Sequence, residues 1–143
     1  MSVSYQNLQV SFKFKGKRNI SDWIKSVANE EGFAVGNINI VFTTDEKLLE
    51  VNKEFLKHDF YTDIITFDYS ENKVLSGDLM ISIERVKENA IYLNVVFLSE
   101  LHRVIIHGVL HLCGYKDKMK KDKTLMRAME NKYLAKLESD AKV

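Results

Sequence analysis

Residues 104–113 read V-I-I-H-G-V-L-H-L-C, and no other run in the chain so narrows what it can fold into. A helix that is apolar almost all the way round must be enclosed by other elements, so this stretch predicts a buried central helix. Projected at about 100° per residue, Leu98, Leu101, Ile105, Val109 and Leu112 fall on one side, and Glu100, Arg103, His107 and His111 on the other. Ser99 is the expected N-cap. A step of four residues turns about 400° and rises about 6 Å, which sets the imidazoles of His107 and His111 side by side. Gly114 can enter the left-handed conformation that ends a helix, and the turned chain can bring Asp117 back as a third ligand. Two core histidines bonded to backbone carbonyls are the bland alternative. The glycine turn and the carboxylate at the right offset decide for one divalent ion, with zinc as the first expectation.

The spacing His-x-x-x-His-x-x-Gly-x-x matches that of metzincin peptidases, but Gly108 occupies the position of their glutamate. The spacing therefore argues for a metal and against that peptidase chemistry. Cys113 lies about 200° round the helix from His111 and is expected to be a packed thiol. His102, about 140° from His107, is not a ligand candidate. Glu100 could orient a ligand histidine through its free ring nitrogen; favouring the helix N-terminus electrostatically is the preferred reading.

At 143 residues the chain is long enough to bury a real core and is expected to be one domain, residues 1–143. No apolar run approaches the length of a membrane span, and a single cysteine fits a reducing cytosol, so a cytoplasmic location with no membrane partner is expected. A net charge of +1 neither demands nor excludes a polyanionic partner. Alternation predicts strands over 3–14, 34–42, 64–69 and 74–83, the last two as an antiparallel hairpin turning near Glu71-Asn72. Helical periodicity covers 21–31, stopped by Gly32, and a helix opened by a capping box from Thr43 to Glu46 runs to Phe55. Further helices are expected over 85–93, through the histidines, and from about Asp122 to Leu137 with Leu125, Met126, Met129, Tyr133, Leu134 and Leu137 inward. The fold class is thus α+β: a mixed four-stranded sheet with about five helices, the metal site lying on the buried helix and the turn after it.

The run HGVLHLCGYKD resembles the signature His-Gly-x-Leu-His-Leu-x-Gly-Tyr-Asp-His of the YbeY family of metal-dependent endoribonucleases and rRNA maturation factors. Thr62-Asp63-Ile64-Ile65-Thr66-Phe67 and Gly77-Asp78-Leu79-Met80-Ile81-Ser82 are similar to two further family motifs. Asn52-Lys-Glu-Phe55 resembles its asparagine-led helix end, and Met126 with Glu130 fits its last helix. The likeness covers roughly 45–135. Three departures stand out. Asp117 takes the place of the third histidine and Lys116 that of the aspartate before it; Leu56 aligns with an arginine implied in catalysis; and Tyr61 and Asp68 replace prolines. With Asp117 as ligand the site keeps net +1 rather than +2, which makes a bound water less acidic.

The resemblance implies a cytoplasmic metal-dependent endoribonuclease acting on single-stranded RNA, in rRNA maturation and ribosome quality control. The small ribosomal subunit and an Era-type GTPase are the implied partners. Water on the metal is the expected nucleophile, because the signature positions no glutamate as general base. His107, His111 and Asp117 would act through that water, with Arg103 or His58 as candidates for the missing cation. Lys116, Lys118, Lys120, Lys121 and Lys123, crowded beside the metal loop, are candidates for phosphate contact. Tyr115, Phe60 and Tyr61 are candidates for base stacking. Asp63 and Asp78 match family motifs and could line the cleft, although local backbone bonding is the commoner role of such carboxylates. Two other readings compete: a non-hydrolytic ribosome-assembly factor with a structural metal, and, weaker, a zinc peptidase.

Overall fold

The computed structural model describes residues 2–141. Four strands, β1 (Ser2–Asn7), β2 (Ala34–Thr43), β3 (Ile64–Asp68) and β4 (Val74–Ser82), form one sheet in the order β1-β2-β4-β3. The pairs β1·β2 and β2·β4 are parallel and β3·β4 is antiparallel, so the sheet is mixed, as expected. Five helices complete the fold: α1 (Lys17–Glu30), α2 (Asp45–Phe55), α3 (Ile83–Leu93), α4 (Phe97–Leu112) and α5 (Lys120–Ala141). None of them is alone long and apolar enough to cross a membrane.

Alternation along the strands sends neighbouring side chains to opposite faces. Leu79 and Ile81 join the main core with α1, α4 and α5, whereas Ile65 packs with Leu48 and Val51 of α2 in a second cluster that Met80 and Phe67 flank. The histidine helix α4 is enclosed as its composition requires: Leu101, Ile105, Ile106, Val109 and Leu110 are fully buried. Each such side chain stabilises the fold by about 1.5–3 kcal/mol. Gly108 lets this helix approach the sheet, since a Cβ there would lie 2.8 Å from Cδ1 of Ile64 and 3.0 Å from Cδ2 of Leu79.

Several boundaries differ from expectation. The first strand stops at Asn7, because Gln9 takes a positive φ of 61°. The Asn7 side-chain amide then donates to the Phe12 carbonyl (2.8 Å), and Phe12 and Phe14 turn inward onto Phe42. Thr44, not Thr43, caps α2 by accepting from the Lys47 amide (3.1 Å), while Glu46 accepts from the Tyr61 hydroxyl, so no capping box forms. Ser99 lies inside α4, whose N-cap is Val96, and Leu98 and Leu125 are exposed rather than inward. The hairpin forms as read: Asn72 and Lys73 both have positive φ, and Glu71 and Val74 exchange backbone bonds of 3.1 and 2.9 Å, the geometry of a two-residue loop matched to strand twist.

Candidate metal centre

Helix α4 ends on Gly114, whose φ of +105° only glycine adopts without strain. The Gly114 amide donates to the His111 carbonyl (3.0 Å) and the Tyr115 amide to the Leu110 carbonyl (3.1 Å), closing the helix and reversing the chain. That reversal returns Asp117 to the histidines. The imidazole centroids of His107 and His111 are 4.6 Å apart with planes at 83°, and their Nε2 atoms are 3.0 Å apart. Oδ2 of Asp117 lies 3.5 Å from Nε2 of His107. One ligand atom from each of the three residues falls within 4.8 Å of the others. Donors at 2.0–2.2 Å around a tetrahedral ion are separated by about 3.3–3.6 Å; the Asp117–His107 distance of 3.5 Å falls within that span and the 3.0 Å between the two Nε2 atoms lies slightly below it.

The outer ring atoms decide the tautomers. Nδ1–H of His111 donates to the Tyr115 carbonyl (2.9 Å), and Nδ1–H of His107 donates to Oε2 of Glu130 (2.7 Å). Both Nε2 lone pairs therefore face one another and the Asp117 carboxylate, an arrangement that repels itself unless a cation sits between. Burial works to lower the pKa of His107, but the carboxylates of Glu130, Asp117 and Asp63 outweigh it and hold the imidazole above its ordinary value. Burial and the neighbouring His107 push His111 below its own. The donor set thus fits a divalent ion.

Behind His107 runs a chain of charges that spacing along one helix does not reveal. Oε1 of Glu130 accepts from Nη1 of Arg103 (3.2 Å), and Nε of Arg103 donates to Oε1 of Glu100 (3.1 Å). Glu130 and Glu100 are both buried. Burial raises the Glu100 pKa, against the pull of Arg103. Glu100 thus reaches the histidines only through Arg103 and Glu130, and the Arg103 guanidinium is spent on two carboxylates. The signal for Glu130 was its helical position, and no local motif could pair it with His107.

Two clefts meet at His107 and Asp117. One, of about 510 Å³, is lined by Asn52, Leu56, His58, Phe60, Thr66 and Lys118 as well as His107, His111 and Asp117. The other carries Arg103, Lys123, Arg127 and Glu130 against His107 and Asp117. Asp63 lines both; burial raises its pKa, opposed by His107. Asp78 instead sits in β4 opposite Asn39 and Phe67 and lines neither. Lys118 reaches the larger cleft, and Lys116 faces a separate hollow with Glu31 and Tyr115. Lys120 and Lys121 line none of these hollows. Arg127 was missed by sequence reading, although it precedes Glu130 by one helical turn. Tyr115 donates to Glu31 (2.7 Å), and Tyr61 lies against Arg85. His102 packs edge-on to Trp23, away from the site. Burial pushes the Cys113 thiol up to about 12, and it lines only the hollow with Lys116.

A family model described as endoribonuclease YbeY matches residues 2–138. Among curated proteins, an endoribonuclease YbeY of Bacteroides fragilis is 50% identical over 135 residues, 94% of this chain and 97% of the relative. One of Bacteroides thetaiotaomicron is 49% identical over 135 residues, covering 94% and 98%. Among solved structures, the solution structure of a Thermotoga maritima protein superposes with a TM-score of 0.67 at 25% identity, covering 98% of this chain and 91% of that one.

Proposed function

The chain belongs to the endoribonuclease YbeY family, and on that premise we propose that it cleaves single-stranded RNA in rRNA maturation and ribosome quality control. In this reading His107, His111 and Asp117 hold one divalent ion, zinc first. The observation that carries the proposal is the convergence of two outward-blocked imidazoles and a carboxylate where two open clefts meet. When bound there, the ion supplies an acidified water as nucleophile and draws charge from the phosphoryl oxygens. The chain does the rest. Glu130 and the Tyr115 carbonyl fix both ring orientations, and Arg103 acts as a positioning residue by holding Glu130. The small ribosomal subunit and an Era-type GTPase remain the proposed partners, and the cytoplasm the proposed location.

Phosphate contact falls to Lys118 on one side and to Lys123 and Arg127 on the other, because these cations line the clefts. Two or three such contacts give RNA binding that weakens steeply with salt. The structural-metal reading asks for four protein ligands, and among the described residues only three groups come within reach of one ion. The peptidase reading needs a glutamate at position 108, where even a Cβ would press into Ile64 and Leu79.

The test is cleavage of single-stranded rRNA fragments by protein stripped of metal, then reloaded with zinc, beside His111→Ala treated identically. Cleavage that vanishes on stripping, returns on reloading and never appears in H111A is the expected result. Equal cleavage by both proteins would overturn the proposal.

A further inference from the structure

The loop between α2 and β3 carries two aromatic rings that the core does not use. His58 and Phe60 stack with centroids 5.0 Å apart and planes at 20°, and both line the larger cleft beside the histidine pair. Phe60 is 55% exposed, and neither ring belongs to a buried cluster. An aromatic left open to water is unfavourable on its own account, yet this loop is built to present it. Asn52, itself buried, ties the loop from both ends: its carbonyl accepts from the amides of Leu56 (3.1 Å) and His58 (3.0 Å), and its side-chain amide donates to the Phe60 carbonyl (2.9 Å). Between those anchors Lys57 takes a positive φ of 56°, a conformation non-glycine residues adopt reluctantly.

We infer that the stacked His58–Phe60 pair is a platform for one unpaired nucleobase of the RNA substrate, next to the phosphate that is cut. The inference rests on the endoribonuclease reading and adds a base subsite to it. Every base has a π-face, so such a platform selects unpaired nucleotides without reading their sequence. Position identifies the occupant: the pair shares its cleft with His107, His111, Asp117 and the cation of Lys118, so a strand whose phosphate reaches the histidines brings a neighbouring base over the rings. The other two aromatic candidates are engaged elsewhere. Tyr61 donates to Glu46 and lies on Arg85, and Tyr115 donates to Glu31. Leu56 borders the same cleft as an apolar neighbour to the rings.

The test uses full-length protein, a short single-stranded RNA and the same RNA made abasic at each position in turn. Phe60→Leu keeps apolar bulk and loses the π-face; its exposure keeps the core out of the comparison, which an unchanged melting temperature verifies. In F60L the KM should rise about tenfold with kcat within about twofold, and His58→Ala should move KM the same way. In the wild type, removing one base beside the cut should impose the same penalty, and in F60L that removal should add nothing. Unchanged KM in F60L, or penalties that multiply, would overturn the platform. Should the wild type cleave no RNA, the endoribonuclease reading falls and the platform is judged by fluorescence anisotropy. Binding about tenfold weaker in F60L then supports it, while equal binding, or none by the wild type, overturns it.

Discussion

Glu130 does for His107 what the Tyr115 carbonyl does for His111: each accepts the outer N–H and leaves Nε2 free to bind. A carboxylate in that role also raises the basicity of the ring. Glu130→Gln keeps the shape and removes the charge, so zinc affinity should fall about 10–100-fold, read by titration against a competing chelator. An unchanged affinity would reduce Glu130 to a packing residue. Asp117 sets the charge of the site. Asp117→His takes the donor set from net −1 to neutral and should shift the half-maximal pH of RNA cleavage downward, since a more positive centre acidifies water more strongly. A profile that does not move would place Asp117 outside the ligand set. The two histidines and Asp117 were legible because helical spacing and a glycine turn are local. Glu130 was not, because 23 residues separate it from His107 and only packing of α5 on α4 brings them together.

Helix α4 can sit low on the sheet because Gly108 faces Ile64 and Leu79. Gly108→Ala gains about 1 kcal/mol of helix propensity but forces a methyl into that contact, and overpacking costs about 1–3 kcal/mol. The expected net is a destabilisation of about 1 kcal/mol in urea unfolding. Ile64→Val removes the Cδ1 that the new methyl would meet and should restore part of the loss in the double variant. Losses that simply add would mean that Ile64 is not the obstacle. At this scale most of the fold was readable: the kinds and order of all nine elements, the mixed sheet and the hairpin. The misreadings share a cause. Apolar alternation continues past Asn7, but Phe14 is buried, and Phe12 half-buried against the core, from a loop rather than a strand. Leu98 and Leu125 have helical periodicity without a partner surface. In each case pattern records burial or its absence only once tertiary neighbours are known.

Across the molecule, side-chain hydrogen bonds tie α5 to α1 and to Glu31 at its C-terminal end. Tyr133 donates to Glu31, the Trp23 indole donates to the Tyr133 carbonyl (2.9 Å), and Nζ of Lys136 donates to Ser26 (2.7 Å). Burial, then the carboxylates of Glu31 and Glu30, hold the Tyr133 phenol above its ordinary value. A pKa raised on folding contributes stability that is complete below the unfolded value, near 10, and is lost as pH climbs above it. Unfolding free energy should therefore decline above about pH 10, and Tyr133→Phe should flatten that decline; identical slopes would contradict the assignment. The same tertiary scale places Lys118, Lys123 and Arg127, rather than the whole lysine run, around the clefts. The most direct test of the whole account is X-ray absorption of the zinc-loaded protein. It should show nitrogen and oxygen donors alone at about 2.0–2.2 Å with scattering from two imidazoles, falling to one in His111→Ala. A sulfur donor at about 2.3 Å, or a shell that His111→Ala and Asp117→Ala leave unaltered, would contradict it.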